Sequence, residues 1–225
     1  MKHLQRDLDA LKKEILTMGS MVEEATNKAI SSLTQRSPEL AEEVLSGDDA
    51  IDRHELEVEE ACLKALALHQ PVAGDLRFIV AVMKVNNDLE RMGDLAQNIA
   101  ERSLFLSTHE PIQAALDFER MLERVRQMVS MSLDALVNQD PRLARAVVAL
   151  DDEVDEYHRH MFVALQELMY RDPQTIERAV HTLSVARHLE RIADLATNIA
   201  EDIVFMVEGD VIRHQSGDRE SGPRT

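Results

Sequence analysis

The chain opens on apolar residues at Leu4, Leu8, Leu11, Ile15, Met18, Val22, Ala25 and Ala29. The steps alternate between four and three, a heptad seam that predicts one helix of roughly 30 residues. Gly19 lies inside the seam, which runs on across it. A glycine there costs ~1 kcal/mol, so it predicts a close helix contact rather than a break. Ser37-Pro38-Glu39 predicts the next start, with Ser37 as N-cap and Pro38 at the first helical position. A helix from Pro38 is predicted to reach a C-cap or a kink at Gly47, and a stretch from Asp48 carries Ile51, Val58, Ala61, Ala65 and Leu68 up to Pro71; the two are either separate helices or one kinked helix. A third seam, Phe78, Val82, Val85, Leu89, Met92, Ala96, Ile99 and Leu106, predicts a long helix capped by Asp75 and broken at Thr108-His109-Glu110-Pro111. The plan then repeats. A helix is predicted from Ala114 to Gln139, a new start at Asp140-Pro141, a middle helix from Asp151 to Tyr170, a turn at Arg171-Asp172-Pro173 and a last helix from Gln174 to Val207. The polar residues from Gly209 on predict a flexible tail.

The repetition is also literal. LERMGDLAQNIAE (Leu89–Glu101) returns as LERIADLATNIAE (Leu189–Glu201), identical at ten of thirteen positions. Upstream, Ser37–Asp52 aligns with Asp140–Asp155, sharing Asp48/Asp151, Asp49/Asp152 and Asp52/Asp155 among others. Two matching blocks in the same order mark a duplicated unit. Short turns between long helices make neighbours antiparallel. The predicted fold is therefore all-α, two tandem pseudo-symmetric three-helix bundles of long antiparallel helices. Their spans are 1–108 and 112–208, followed by the tail 209–225. A unit of about 100 residues has a modest core, so the two are expected to pack together.

Charge narrows the function. The formal net charge is −17, which repels a phosphate backbone and disfavours nucleic acid as a partner. Cations and basic protein surfaces fit better. Cys62 is the single cysteine, so no internal disulfide or thiolate metal cluster forms, as suits a reducing cytoplasm. The N-terminus has no apolar signal region, and no run of ~18 apolar residues predicts a membrane span.

The negative charge falls in rows. With Glu90 set at zero on the third helix, Asp94 lies at ~40°, Asn98 at ~80° and Glu101 at ~20°, while Leu89, Met92, Ala96 and Ile99 lie at ~180–260°. The row is thus opposite the seam. Glu190, Asp194, Asn198 and Glu201 form its copy. The middle helices carry Asp48/Asp52 and Asp151/Asp155 at i, i+4, extended by Glu55 and Glu59 in the first half and by His158 in the second. Exposed helix faces are often acidic for solubility alone. Like charges at i, i+4 repel, however, and here the same spacings recur in both halves. Carboxylate and amide oxygens held side by side suit a hard cation. The oxygen donors favour Mg, Ca, Mn or Fe and argue against Zn.

The histidines give weaker signals. His3, His69, His109 and His214 read as surface or turn residues, and His54, at an otherwise apolar position, as a satisfied core residue. His158 is a candidate ligand; His181 and His188 can either approach the second acidic row or pack. Cys62 and the methionines read as core. No Gly-rich phosphate loop, G-x-S-x-G or CxxC occurs.

Gln70-Pro71-Val72-Ala73, Asp75-Leu76-Arg77, Leu89-Glu90-Arg91-Met92-Gly93-Asp94 and Asn98-Ile99-Ala100-Glu101 resemble the PhoU family. The likeness covers about residues 1–208, including the repeat. It implies a cytoplasmic, non-enzymatic negative regulator of phosphate uptake and of the phosphate regulon, a homodimer that contacts two partners. These are the ATPase subunit of the phosphate ABC transporter and the phosphate sensor histidine kinase. It also implies divalent or ferric metal ions (Fe, Mn, Mg or Zn) at Glu90/Asp94, Glu190/Asp194, Asp48/Asp52 and Asp151/Asp155. The second half departs from the pattern, with Thr175-Ile176-Glu177 in place of Asp75-Leu76-Arg77. The competing readings are a metal-independent helical adaptor and a carboxylate-bridged metalloenzyme. The latter uses inward Glu-x-x-His pairs, which this sequence lacks.

Overall fold

The heptad seam of the first segment becomes the buried stripe of a single helix, α1 (Lys2–Gln35), with Leu8, Leu11, Ile15, Met18, Val22 and Ala29 all buried. The structure, a computed structural model, describes residues 2–209; the predicted tail beyond Gly209 lies outside the described residues. α1 packs against α2 (Pro38–His69) and α3 (Ala73–Ser107), closing the first bundle. α4 (Phe118–Asn138), α5 (Pro141–Val148), α6 (Asp151–Arg171) and α7 (Ile176–Glu208) form the second. The architecture is all-α, and the two bundles share one continuous core through α3 against α7 and α1 against α4.

The caps explain most of the boundaries. Ser37 Oγ accepts from the Leu40 amide at 3.3 Å, and Asp140 accepts from the Arg142 and Leu143 amides. Each satisfies donors that a helix start leaves open. Asp75, expected as a cap, instead lies in the first turn of α3, whose N-cap is Val72 with no side-chain bond. A carboxylate there still favours the positive end of the helix dipole. α4 begins at Phe118 rather than Ala114. Three helix ends turn through a left-handed residue that is not glycine: Arg36, Gln70 and Gln139. Arg36 uses its position. Its guanidinium donates to the carbonyls of Ser107 and His109, closing the C-terminal end of α3.

Of the two readings at Gly47, an end or one continuous helix, the structure has the continuous helix. α2 runs straight through it, while its counterpart breaks into α5 and α6 at Ala149-Leu150. There the bonds tighten to i→i+3, from Leu150 to Val147 and from Glu153 to Leu150, and Leu150 packs on the core. Gly47 has no side chain to bury, so nothing pulls the first-half helix out of line.

Gly19 marks a close approach, as expected. A Cβ there would overlap Cδ1 of Leu133, so this glycine lets α1 meet α4 across the two bundles. In the α3 seam, the polar position Ser103 meets Ser32 Oγ at 2.8 Å and so is satisfied within the core.

Candidate metal centre

The spacing of the acidic rows is set by a second small residue. A Cβ on Gly93 would lie 3.2 Å from both Cδ1 and Cγ2 of Ile51, so glycine lets α2 and α3 come this close without Ile51 giving way. Ile51 precedes Asp52, and Gly93 precedes Asp94. The hydrophobic contact therefore brings the row of α2 alongside the row of α3.

The electrostatics show that the rows face one another. Burial raises the Asp48 carboxyl above its ordinary range, and Asp52, Asp94 and Asp49 raise it further. Glu90 is raised by burial, then by Asp94, Asp52, Glu55 and Asp48. Glu55 follows, through burial, Glu59 and Asp52. The second half repeats the arrangement between α6 and α7. Asp151 is pushed up to about 6 by burial, Asp155 and Asp194. Thr197 lies close enough to lower Asp151 a little, though outside hydrogen-bonding geometry. Asp194 is raised by burial, Glu190 and Asp155, and held back by Arg191 and Arg187. His158 Nδ1 lies 3.9 Å from Glu190 Oε1, bringing one imidazole to this row.

Carboxylates that are crowded and partly desolvated gain either a proton or a cation. Oxygen donors with little nitrogen and no sulfur fit a hard, oxygen-seeking ion. Cys62 is fully buried, its thiol pushed up to about 12, and supplies no thiolate. The rows are open arrays, however. Among the described residues, no three Asp, Glu, His or Cys side chains are gathered closely enough to hold an ion as they stand. Side chains would swing together around one.

The twelve residues singled out by sequence divide by place. Asp48, Asp52, Glu90 and Asp94 form one facing set, and Asp151, Asp155, Glu190 and Asp194 the other. Glu101 lies exposed two turns beyond Asp94, about 10 Å along the axis, too far to share an ion with it. Glu201 is half-buried at the equivalent point. Asn98 Nδ2 donates to the Asp94 carbonyl at 2.7 Å. With Asn198 it lines a different feature.

That feature is a cleft of about 390 Å³ between α3 and α7. Lys84 pairs with Asp202, and Phe105 stacks on His181, so the two helices run antiparallel. The repeat axis passes between Asp94 and Asp194. Arg91, Asp94 and Asn98 line one wall, Arg191, Asp194 and Asn198 the other, over Leu95 and Leu195. Asp94 and Asp194 thus belong both to their own rows and to the cleft that joins them. Sequence reasoning missed the arginines here. The signal was present, since Arg91 and Arg191 are themselves repeated, but the wheel of one helix does not show that its copy lies across from it.

The histidines are now placed. His54 Nε2 lies 3.1 Å from the Glu14 carbonyl oxygen, satisfied as expected. His69, read as a surface residue, is tied to Asp7 at 2.8 Å. His181 stacks on Phe105 with centroids 3.8 Å apart, and His188 sits among arginines.

The sequence profile of the PhoU domain matches residues 15–103 and 118–203. The phosphate-specific transport system accessory protein PhoU homolog of Aquifex aeolicus is 42% identical over 94% of this chain and 96% of its own. That of Caulobacter vibrioides is 38% identical, over 95% and 94%. Among solved structures, PhoU from Pseudomonas aeruginosa superposes with a TM-score of 0.86 at 34% identity, covering 92% of this chain and 99% of that one. The phosphate transport system regulatory protein PhoU from Streptococcus pneumoniae gives 0.82 at 28%, covering 93% and 99%.

Proposed function

Because the chain belongs to the PhoU family, we propose that it is a non-enzymatic accessory protein of phosphate transport that restrains uptake and the phosphate regulon by protein contact, with metal ions on its acidic rows. The observation that carries this reading is the pair of facing carboxylate sets at repeat-equivalent positions in both bundles. Asp48, Asp52, Glu90 and Asp94 would hold ions in the first half, and Asp151, Asp155, Glu190 and Asp194 in the second. A bound ion would cancel the repulsion within each set and place positive charge on an acidic surface, changing which partner surface it fits. The chemistry supports Fe, Mn or Mg ahead of Zn.

The contacts with the transporter ATPase and the sensor kinase, and pairing with a second copy, draw support from exposed apolar residues. Leu76 and Val80 at the start of α3 correspond to Ile176 and Val180 at the start of α7, and all four are exposed. No helix among the described residues is long and apolar enough to cross a membrane.

The test is elemental analysis of the purified chain beside capture of the ATPase subunit from phosphate-rich cells. Retained metal that is lost in Asp94→Ala/Asp194→Ala, together with capture that a chelator weakens, supports the proposal. Unchanged metal content in the double variant refutes the ligand assignment. The openness of the rows favours a second reading, a metal-independent adaptor; capture that persists undiminished under chelation would establish it instead.

A further inference from the structure

The seam between α3 and α7 has two ends that the repeat makes equivalent, yet their charges differ. At one end, Lys84 Nζ lies 3.2 Å from Oδ1 of the buried Asp202, and Arg91 Nη1 lies 3.4 Å from Asp88 Oδ1. Cations there meet built-in carboxylates. At the other end, the position of Asp202 is taken by Arg102 and that of Asp88 by His188. Asn87 becomes Arg187, and Ala81 becomes His181. The carboxylates are gone, and two guanidinium groups and two imidazoles stand in their places; burial and the neighbouring arginine charges hold His181 and His188 below the ordinary imidazole range, so the rings favour the neutral form.

The hydrogen bonding is incomplete at this same end. Arg102 Nε, His181 Nδ1 and His188 Nδ1 are sealed from water without a partner, three of the six such side-chain atoms among the described residues. An unpaired buried polar atom carries a desolvation cost that a ligand or a shifted side chain removes. Arg102, His181 and His188 are each half-buried, so they also reach the surface, and Arg187 and Arg191 are exposed beside them. Phe105 walls the cluster, stacked between His181 and His109. The acidic neighbours are Glu177, near His181, and Asp194, near Arg187 and Arg191.

We propose that this end of the seam binds a small oxyanion of the phosphate class, held by Arg102 from the first bundle and by His181, His188 and Arg187 from the second. The anion supplies here the negative charge that Asp88 and Asp202 supply at the other end. Guanidinium forks present paired N–H donors to a tetrahedral oxyanion, and imidazole N–H groups add single donors. A chain of charge −17 repels anions at long range, so such a site needs a local concentration of cations like this one. The ligating groups come from both bundles, and occupancy therefore clamps α3 to α7. The site does not depend on metal at the acidic rows.

The experiment is calorimetric titration of the chelator-treated full chain with inorganic phosphate at fixed ionic strength, with sulfate in a parallel arm. Saturable binding of phosphate at one site per chain is expected. Arg102→Gln and the exposed Arg187→Gln should each weaken it about tenfold or more, the loss of a charged hydrogen bond. Lys84→Gln, at the balanced end, should leave it unchanged. Equal binding of sulfate identifies a site that reads charge and shape; weaker sulfate binding identifies one that also reads the phosphate proton. No saturable binding of either anion overturns the inference. So does binding that survives intact in both arginine variants.

Discussion

Gly93→Ala probes the contact that sets the distance between the first pair of acidic rows. In an exposed helix this substitution stabilises by ~1 kcal/mol. Here the new methyl would sit 3.2 Å from two carbons of Ile51, inside the ~3.5–4.0 Å optimum. Ile51 is 4% exposed and β-branched, so in a helix it holds one rotamer and has no room to step aside. Overpacking of this kind costs ~1–3 kcal/mol, which leaves a net loss of roughly 0–2 kcal/mol. The second half shows the compensating solution. At the equivalent positions it has Ala193 and Val154, both fully buried, one carbon moved from one side of the contact to the other. Ile51→Val alone should cost ~1 kcal/mol through the space it leaves. Combining Gly93→Ala with Ile51→Val copies the second half, and the pair should be more stable than the sum of the singles by ~1 kcal/mol. Urea unfolding of the four chains gives the coupling directly. Strictly additive effects would show that α2 and α3 are not locked at this contact, and the argument for closely set rows would fail with it.

Two further outcomes follow from the same physics. Asp151 has its carboxyl raised from 3.8 to about 6, so the folded chain binds this proton more tightly than the unfolded chain does. Its contribution is fully present below pH about 4 and is lost as pH rises from about 4 to 6, a loss of roughly 1 kcal/mol at this partly solvated site. Asp151→Asn should therefore stabilise the metal-free chain at neutral pH and flatten its stability between pH ~4 and ~6, measured as urea midpoints against pH; a slope identical to the parent's would refute the assignment. Gly19→Ala, whose methyl would overlap Leu133, should lower stability by about 1–2 kcal/mol despite the better helix former, and a raised melting temperature would mean that α1 and α4 are not in close contact.

The long elements were legible because their signals are local. A seam such as Phe78 to Leu106 repeats its period eight times, and Ser37-Pro38 and Asp140-Pro141 cap their own helices. Asp75 misled, and Gly47 left an end and a continuous helix both open, for the same reason. Each carries the residue type of a boundary, while the fold decides by packing whether a boundary is needed. Half of the candidate site was equally local: Asp48/Asp52 and Glu90/Asp94 lie on one face of their helices by spacing alone. That these faces meet depends on Gly93 against Ile51, a contact between distant segments that no wheel displays. The α3–α7 cleft, and the charge difference between the two ends of its seam, need the antiparallel crossing of the two copies. Only then do Asp88 and His188, or Asp202 and Arg102, become comparable positions.

The most direct test of the central claim is the melting temperature of the chelated chain as Mn²⁺ or Mg²⁺ is added, beside Asp94→Asn/Asp194→Asn. The parent should start low, from carboxylates crowded without a counter-ion, and rise with the cation. The double variant should start higher and respond little. A parent that does not respond, or a variant that rises as far as the parent, would contradict the account.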